Sequence, residues 1–98
     1  MFIVTAILTV RPERLDEFME RLRLHVGLTL KEGRCRKFTI SKSTENPCKL
    51  FYNEEFDKKE LFEAHANSAR VKQHIESTSS MLDGDVWFAQ WNRIGDSW

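Results

Sequence analysis

This sequence has no excess of charge of either sign, no long apolar run, few cysteines, and none of the short spacings that mark metal or serine-nucleophile sites. Fifteen basic and fifteen acidic side chains cancel over 98 residues, and no long block of one sign appears. A binder of nucleic acid or of an anionic membrane surface would carry a basic stripe, so neither partner is expected. No apolar run approaches the roughly 20 residues needed to span a bilayer. The apolar start, residues 1–10, lacks a basic leader and a small-residue cleavage site, so it does not read as a signal peptide, and a cytoplasmic location is the expectation. Neither HxxxH nor HExxH occurs, and Ser77-Thr78-Ser79-Ser80 has no GxSxG context. A metal site is therefore not expected, and the serine-rich run reads as a solvated helix end.

The two cysteines read as unpaired. If residues 43–47 form the turn of a hairpin, Cys48 lies close to the turn, roughly opposite Ser43. Cys35 then lies about seven residues farther along, beyond disulfide reach at about 3.3 Å per residue. Free thiols fit a reducing compartment.

What the chain does have is aromatic area. Seven Phe and three Trp are many for one domain spanning residues 1–98, and part of that area is expected to line a pocket or a subunit interface. Residues 2–10 alternate Phe2, Val4, Ala6, Leu8 and Val10 against Ile3, Thr5, Ile7 and Thr9, which predicts a first strand packed on both sides. Pro12 suits the first helical position, and Glu13, Asp16 and Glu17 complement the helix dipole. Leu15, Phe18, Leu22 and His25, with Met19 beside them, then mark an amphipathic helix to about Leu30, ended by Glu32-Gly33. Residues 36–42 read as a second strand with Phe38 and Ile40 on one face, and residues 43–47 as a turn.

The following stretch organises the rest. From Leu50 to Phe56 the period is 2, and after Asp57-Lys58 it becomes helical, with Leu61, Phe62 and His65 on one side. Asp57 and Glu60 suit a capping box. The helix over residues 58–66 breaks near Asn67-Ser68, and either residue can cap a second piece carrying Val71, Ile75 and Thr78, its end marked by Gly84. Residues 85–94 alternate as a fourth strand, and residues 95–98 form a tail. The order β-α-β-β-α-β predicts a ferredoxin-like α+β fold, a four-stranded antiparallel sheet with helices on one face. The bare sheet face would be covered by a second copy, giving a homodimer.

His25 and His65 fall on the apolar stripes of two helices that pack on the same sheet face. Between them the sheet could offer Thr5, Phe38 and Tyr52, with Glu54 or Asn53 depending on which face is inward. Aromatic walls with a few polar groups are the usual form of a small-molecule site. Each His could equally be a hydrogen-bonded core residue. Cys35 reads as a small buried hydrophobe, Lys31, Arg34, Arg36 and Lys37 as a solvated rim, and His74 as surface.

A strand-Pro-helix start, then Glu32-Gly33-Arg34-Cys35-Arg36-Lys37-Phe38, then Phe51-Tyr52-Asn53-Glu54-Glu55-Phe56, then His65-Ala66-Asn67-Ser68, resembles the antibiotic biosynthesis monooxygenase family over about residues 2–94. The resemblance implies a small homodimer of the dimeric α+β barrel type. Family members include cofactor-independent quinol and polyketide oxygenases, haem-degrading enzymes and an isomerase of a phosphorylated autoinducer. His25 with Thr29, Glu32 and Gly33 is similar to the segment near the pocket in the isomerase-like and quinol-oxygenase-like branches. Phe56 stands where many members carry Trp or Tyr, which points away from haem degradation, and Arg70 stands where a second His often follows.

The resemblance thus implies a monooxygenase that uses O2 on a small aromatic substrate without a cofactor. Such an enzyme needs a base, a dry apolar cavity and a hydrogen-bond donor. His65 or His25 would be the base, since imidazole titrates near neutrality, with Tyr52, Asn53, Glu54, Phe38 and Thr5 around the substrate. An isomerase would use the same His as an acid–base shuttle, and a non-enzymatic ligand-binding dimer would keep the pocket without the chemistry.

Overall fold

The period-2 pattern at the start of the chain becomes the strand β1 (Phe2–Thr9), followed by a 3-10 turn at Pro12–Arg14 and the helix α1 (Leu15–Lys31). The strands β2 (Cys35–Lys42) and β3 (Lys49–Phe56) form a hairpin. Helices α2 (Lys59–Ala66) and α3 (Ala69–Thr78) come next, then a second 3-10 turn at Ser79–Met81 and the strand β4 (Trp87–Asn92). The computed structural model describes residues 1–97; Trp98, the end of the expected tail, lies outside them. The sheet order is β2-β3-β1-β4 with every pairing antiparallel, and the fold is the ferredoxin-like α+β arrangement.

Register decides which residues meet the helices. Val4 pairs with Glu54 and Glu54 with Phe38, while Ala6 pairs with Tyr52 and Phe2 with Phe56. These side chains share the helix-covered face, because side chains alternate with period 2. On it α1 buries Phe18, Leu22, His25 and Thr29, spaced by four, three and four residues as one helical stripe requires. Phe18, Leu22, Leu8 and Leu50 form one cluster, and Phe2, Val4, Phe38 and Phe56 another. Truncating a fully buried Phe such as Phe18 or Phe56 would cost about 3–5 kcal/mol.

A β-bulge at Arg36 changes the expected pattern of β2. Cys35 pairs with Phe56, but Lys37 already pairs with Glu55, so Cys35 turns inward where strict alternation would place Arg36. The displaced Arg36 forks onto Asp57, Nε to Oδ1 at 2.9 Å and Nη2 to Oδ2 at 3.0 Å. This corrects the capping-box expectation: Asp57 is taken by Arg36, and α2 starts from Lys58 without a side-chain cap. Ser68 does cap α3, its Oγ accepting from the Val71 N–H.

Other expectations shift by a few residues. Val10 leaves the sheet and bridges to Leu82. Pro12 opens a 3-10 turn before the α-helix proper begins. On α3, Val71 and Thr78 are buried but Ile75 is exposed, and the helix ends well before Gly84. Thr78 is not solvated, because its hydroxyl donates to the His74 carbonyl at 2.7 Å. Both cysteines are free and buried. Among the described residues no helix is long and apolar enough to cross a membrane.

Candidate functional site

His25 projects from the buried stripe of α1 and His65 from the last turn of α2, and both rings are buried. Their centroids are 6.1 Å apart. Beneath them the sheet presents Phe38 edge-on to His25 at 5.9 Å and Phe56 at 5.8 Å from His65, with Tyr52 5.8 Å from Phe38. The aromatic walls expected from sequence therefore surround both histidines.

Glu54 comes up from β3 between Phe56 and Tyr52, and its Oε1 lies 3.7 Å from His65 Nε2. On the other side of the ring, Glu32 Oε1 lies 3.6 Å from Nδ1. Both separations are too long for hydrogen bonds. His65 Nδ1 and Tyr52 Oη are buried with no hydrogen-bond partner among the described residues. Leaving a buried polar group unpaired costs about 1–3 kcal/mol. Unpaired buried atoms of this kind are what a site built for a ligand's own polar atoms would hold.

Burial dominates the electrostatics. It pushes Glu54 up to about 7, and burial together with the Glu54 charge pushes the Tyr52 phenol well above its usual value. His65 is lowered by burial, against the opposing pull of Glu32. His25 is lowered to about 3 by burial, then by His74 and Arg70. Near neutral pH both rings are therefore uncharged while Glu54 is close to half-ionised. Cys35 is pushed up to about 11 by burial, which keeps it a thiol and fits its reading as a small hydrophobe.

Arg70 fixes the roles of the two histidines. Its Nη1 reaches His25 Nδ1 at 3.1 Å, and Nη2 donates to Thr29 Oγ1 at 3.1 Å and Glu32 Oε1 at 2.7 Å. A guanidinium can only donate, so His25 Nδ1 accepts and its proton sits on Nε2. The Arg70 contact lowers Glu32 despite burial acting in the opposite sense. His25 is thus a held hydrogen-bond donor and a poor base, whereas His65 has no bond fixing its tautomer.

Of the residues expected at the site, His25, His65, Phe38, Tyr52 and Glu54 are brought together. Thr5 and Asn53 are not: they pair with each other on the opposite sheet face. There Thr5 Oγ1 accepts from Trp91 Nε1 at 2.8 Å, and Asn53 Nδ2 donates to Glu55 at 3.4 Å. Strict alternation from His-facing Glu54 excludes both from the cleft, so their expected contact with substrate is withdrawn. His74, expected at the surface, is half-buried and stacked on His25, centroids 3.9 Å apart and planes 7° from parallel. In the sequence Arg70 stands out only as a departure from the family pattern. The helix break at Asn67-Ser68 hides its proximity to Glu32. Among the described residues no group of three or more His, Cys, Asp or Glu side chains is arranged to hold a metal ion.

Residues 1–77 match the family model described as antibiotic biosynthesis monooxygenase. No curated protein matches the chain by sequence. Among solved structures, a putative antibiotic biosynthesis monooxygenase from Deinococcus radiodurans is 18% identical with a TM-score of 0.90, covering 98% of this chain and 95% of that one. A conserved protein from Methanosarcina mazei Go1 is 27% identical with a TM-score of 0.89, covering 95% and 92%. A third, an antibiotic biosynthesis monooxygenase, is 17% identical with a TM-score of 0.89, covering 97% and 100%.

Proposed function

The chain belongs to the antibiotic biosynthesis monooxygenase family, and we propose that it oxidises a small aromatic, quinol-type substrate with O2 and no bound cofactor, with His65 as base. The observation that carries this reading is the His65 ring itself. It is 3% exposed, lies within 4 Å of two carboxylates, and has an unpaired buried nitrogen among aromatic walls.

A hydroquinone- or anthrone-type substrate carries its own reducing electrons. Proton removal by His65 leaves an anion that gives one electron to O2. The substrate radical and superoxide then combine, forming a carbon–oxygen bond, and the peroxide takes back a proton from the imidazolium. Loss of water breaks the O–O bond. For a ring methylene the balance is CH2 plus O2 giving C=O plus H2O, with one oxygen atom in the product and one in water.

The surrounding groups have distinct tasks in this scheme. Glu54, near 7, stabilises the imidazolium while ionised and can hold the proton in transit. The His25 Nε2–H and the Tyr52 hydroxyl supply donors for the oxyanion that develops in the substrate. Phe38 and Phe56 keep the anion away from water, which strengthens each of these interactions.

Oxygen uptake should be measured with a panel of hydroquinones and anthrone-like aromatics, with no metal or flavin added. Uptake by the wild type, reduced about 100-fold or more in His65→Ala, is the expected result. Equal uptake by the variant, with its melting temperature lowered, would make His65 a core residue and end this assignment.

We also propose that the chain works as a homodimer. The sheet face turned away from the helices exposes Trp87, Trp91 and Phe51, and a second copy covering it is the economical partner. Phe88 belongs to the opposite face, where it stacks 6.1 Å from Phe62.

A further inference from the structure

Between α1 and α3 runs a groove of about 280 Å³ that shares His25 and Arg70 with the candidate site but opens away from His65, Glu54 and Tyr52, none of which lines it. Its walls are Arg21, Leu24, His25 and Leu28 from α1 and Arg70 and His74 from α3. No carboxylate lines it, although the chain as a whole is neutral. One guanidinium comes from each helix. Arg21 is tethered through Nη2 to Glu17 at 3.3 Å, and Arg70 through Nη2 to Glu32, so both counter-charges lie outside the groove.

The stacked His25–His74 pair forms part of the wall. Two imidazoles 3.9 Å apart tolerate one another as neutral rings and repel once both are protonated. Burial, then Arg70 and Arg21, lowers His74; burial, then His74, Arg70 and His65, lowers His25, with Glu32 opposing. Positive charge is held off these rings first by burial, and no carboxylate inside the groove offsets it. Beside them Leu24 is 66% exposed and Leu28 also reaches solvent, an apolar landing next to a cationic pocket.

We propose that this groove binds a small amphiphilic anion, a carboxylate or phosphate monoester on a compact apolar body. The anionic group would sit against Arg21, Arg70 and His74, and the apolar part on Leu24 and Leu28. Guanidinium and imidazolium donors suit either oxyanion, and a volume of this size limits the body to about one ring. The groove lies one ring away from His65 through His25, so its occupant would be sensed at the cleft through that stack.

The test reads binding alone, and Arg21 and His74, which line the groove and have no part in the oxygenase scheme, separate its outcome from that of the oxygenase assignment. Benzoate, phenyl phosphate, inorganic phosphate and benzyl alcohol would each be titrated into protein with labelled histidines, following ring signals by NMR. Benzoate or phenyl phosphate should shift His74 and His25 saturably, at least about tenfold more tightly than benzyl alcohol. The bound anion should raise the His74 titration midpoint by about one unit, equivalent to tenfold tighter binding to the protonated ring. Arg21→Ala, a change on an exposed helix face, should weaken binding about fivefold or more while leaving the melting temperature in place. The benzoate and phenyl phosphate arms decide which anion is preferred. No ring shift up to about 10 mM ligand, a Kd weaker than about −3 kcal/mol of binding, overturns the proposal. So does benzyl alcohol binding equally well, inorganic phosphate binding as tightly as phenyl phosphate, or a His74 midpoint that does not move.

Discussion

His65 Nε2 stands 3.7 Å from Glu54 Oε1, a buried imidazole facing a carboxyl that burial has raised to about 7. Near neutral pH burial keeps the imidazole uncharged, and the carboxyl is the group that titrates. If this pair moves the substrate proton, activity should rise as Glu54 ionises, through a limb centred near pH 7 that belongs to the pair and not to one residue alone. Glu54→Gln keeps the shape and removes the charge. We expect kcat/KM to fall by about 100-fold and the limb near pH 7 to vanish. A variant that retains the limb would assign it elsewhere.

The same carboxyl makes stability depend on pH. Its pKa is raised in the folded state from 4.5 to about 7, so between those values the folded chain binds more protons than the unfolded one. Its stabilising contribution is complete below 4.5 and is lost as pH rises through about 7, amounting to about 3 kcal/mol for a shift of this order. His25 acts in the opposite sense. Lowered from 6.5 to about 3, it contributes fully above 6.5, and that contribution is lost as pH falls towards 3. Denaturant melts should show Glu54→Gln gaining on the wild type between pH 5 and 8, and His25→Gln gaining between pH 6 and 4. Parallel curves for variant and wild type would show that the ionisations do not differ between folded and unfolded chains.

Much of the architecture could be read from period alone, because β1 and β4 each keep one apolar side and α1 and β3 one mainly apolar side, broken by His25 and Thr29 on α1 and by Glu54 on β3. His25 and His65 were legible for the same reason, as polar rings on apolar stripes. The limits lie where one residue changes the count. The bulge at Arg36 took Asp57 from its expected cap, and the choice between Glu54 and Asn53 could not be made until the inward face of β3 was known. Arg70 joins α3 to Thr29, Glu32 and His25 across about 40 residues of sequence. No local pattern announces such a contact, since it depends on how two helices cross.

Arg70 should therefore matter more than its half-exposed position suggests. Lysine has one ammonium point where arginine has a planar fork, so Arg70→Lys cannot hold His25, Thr29 and Glu32 together. We expect a stability loss of about 1–2 kcal/mol, near 4–8 °C in melting temperature per kcal/mol for a domain of this size. His25 should also titrate higher in Arg70→Met, because a cationic neighbour is gone while burial persists. An unchanged melting temperature together with an unchanged His25 titration would mean that Arg70 does not organise the site.

The dimer proposal is tested at Trp91. Its indole donates to Thr5 Oγ1 at 2.8 Å and covers part of β1, yet the residue remains half-exposed on the sheet face away from the helices, in line with Trp87. A second sheet laid on this face would remove most of that area from water, worth about 25 cal/mol for each Å² of apolar surface buried. Trp91→Glu places a carboxylate there, and burying an unpaired charge costs several kcal/mol, enough to split a dimer at micromolar concentration. Sedimentation should show a dimer for the wild type and a monomer for Trp91→Glu. Trp91→Phe separates the interface from the fold, because it loses only the bond to Thr5 and should remain dimeric. Because Phe88 faces the helices, Phe88→Glu should lower the melting temperature without changing the oligomeric state. If the wild type sediments as a monomer, or if Phe88→Glu dissociates the dimer and Trp91→Glu does not, the partner covers a different surface.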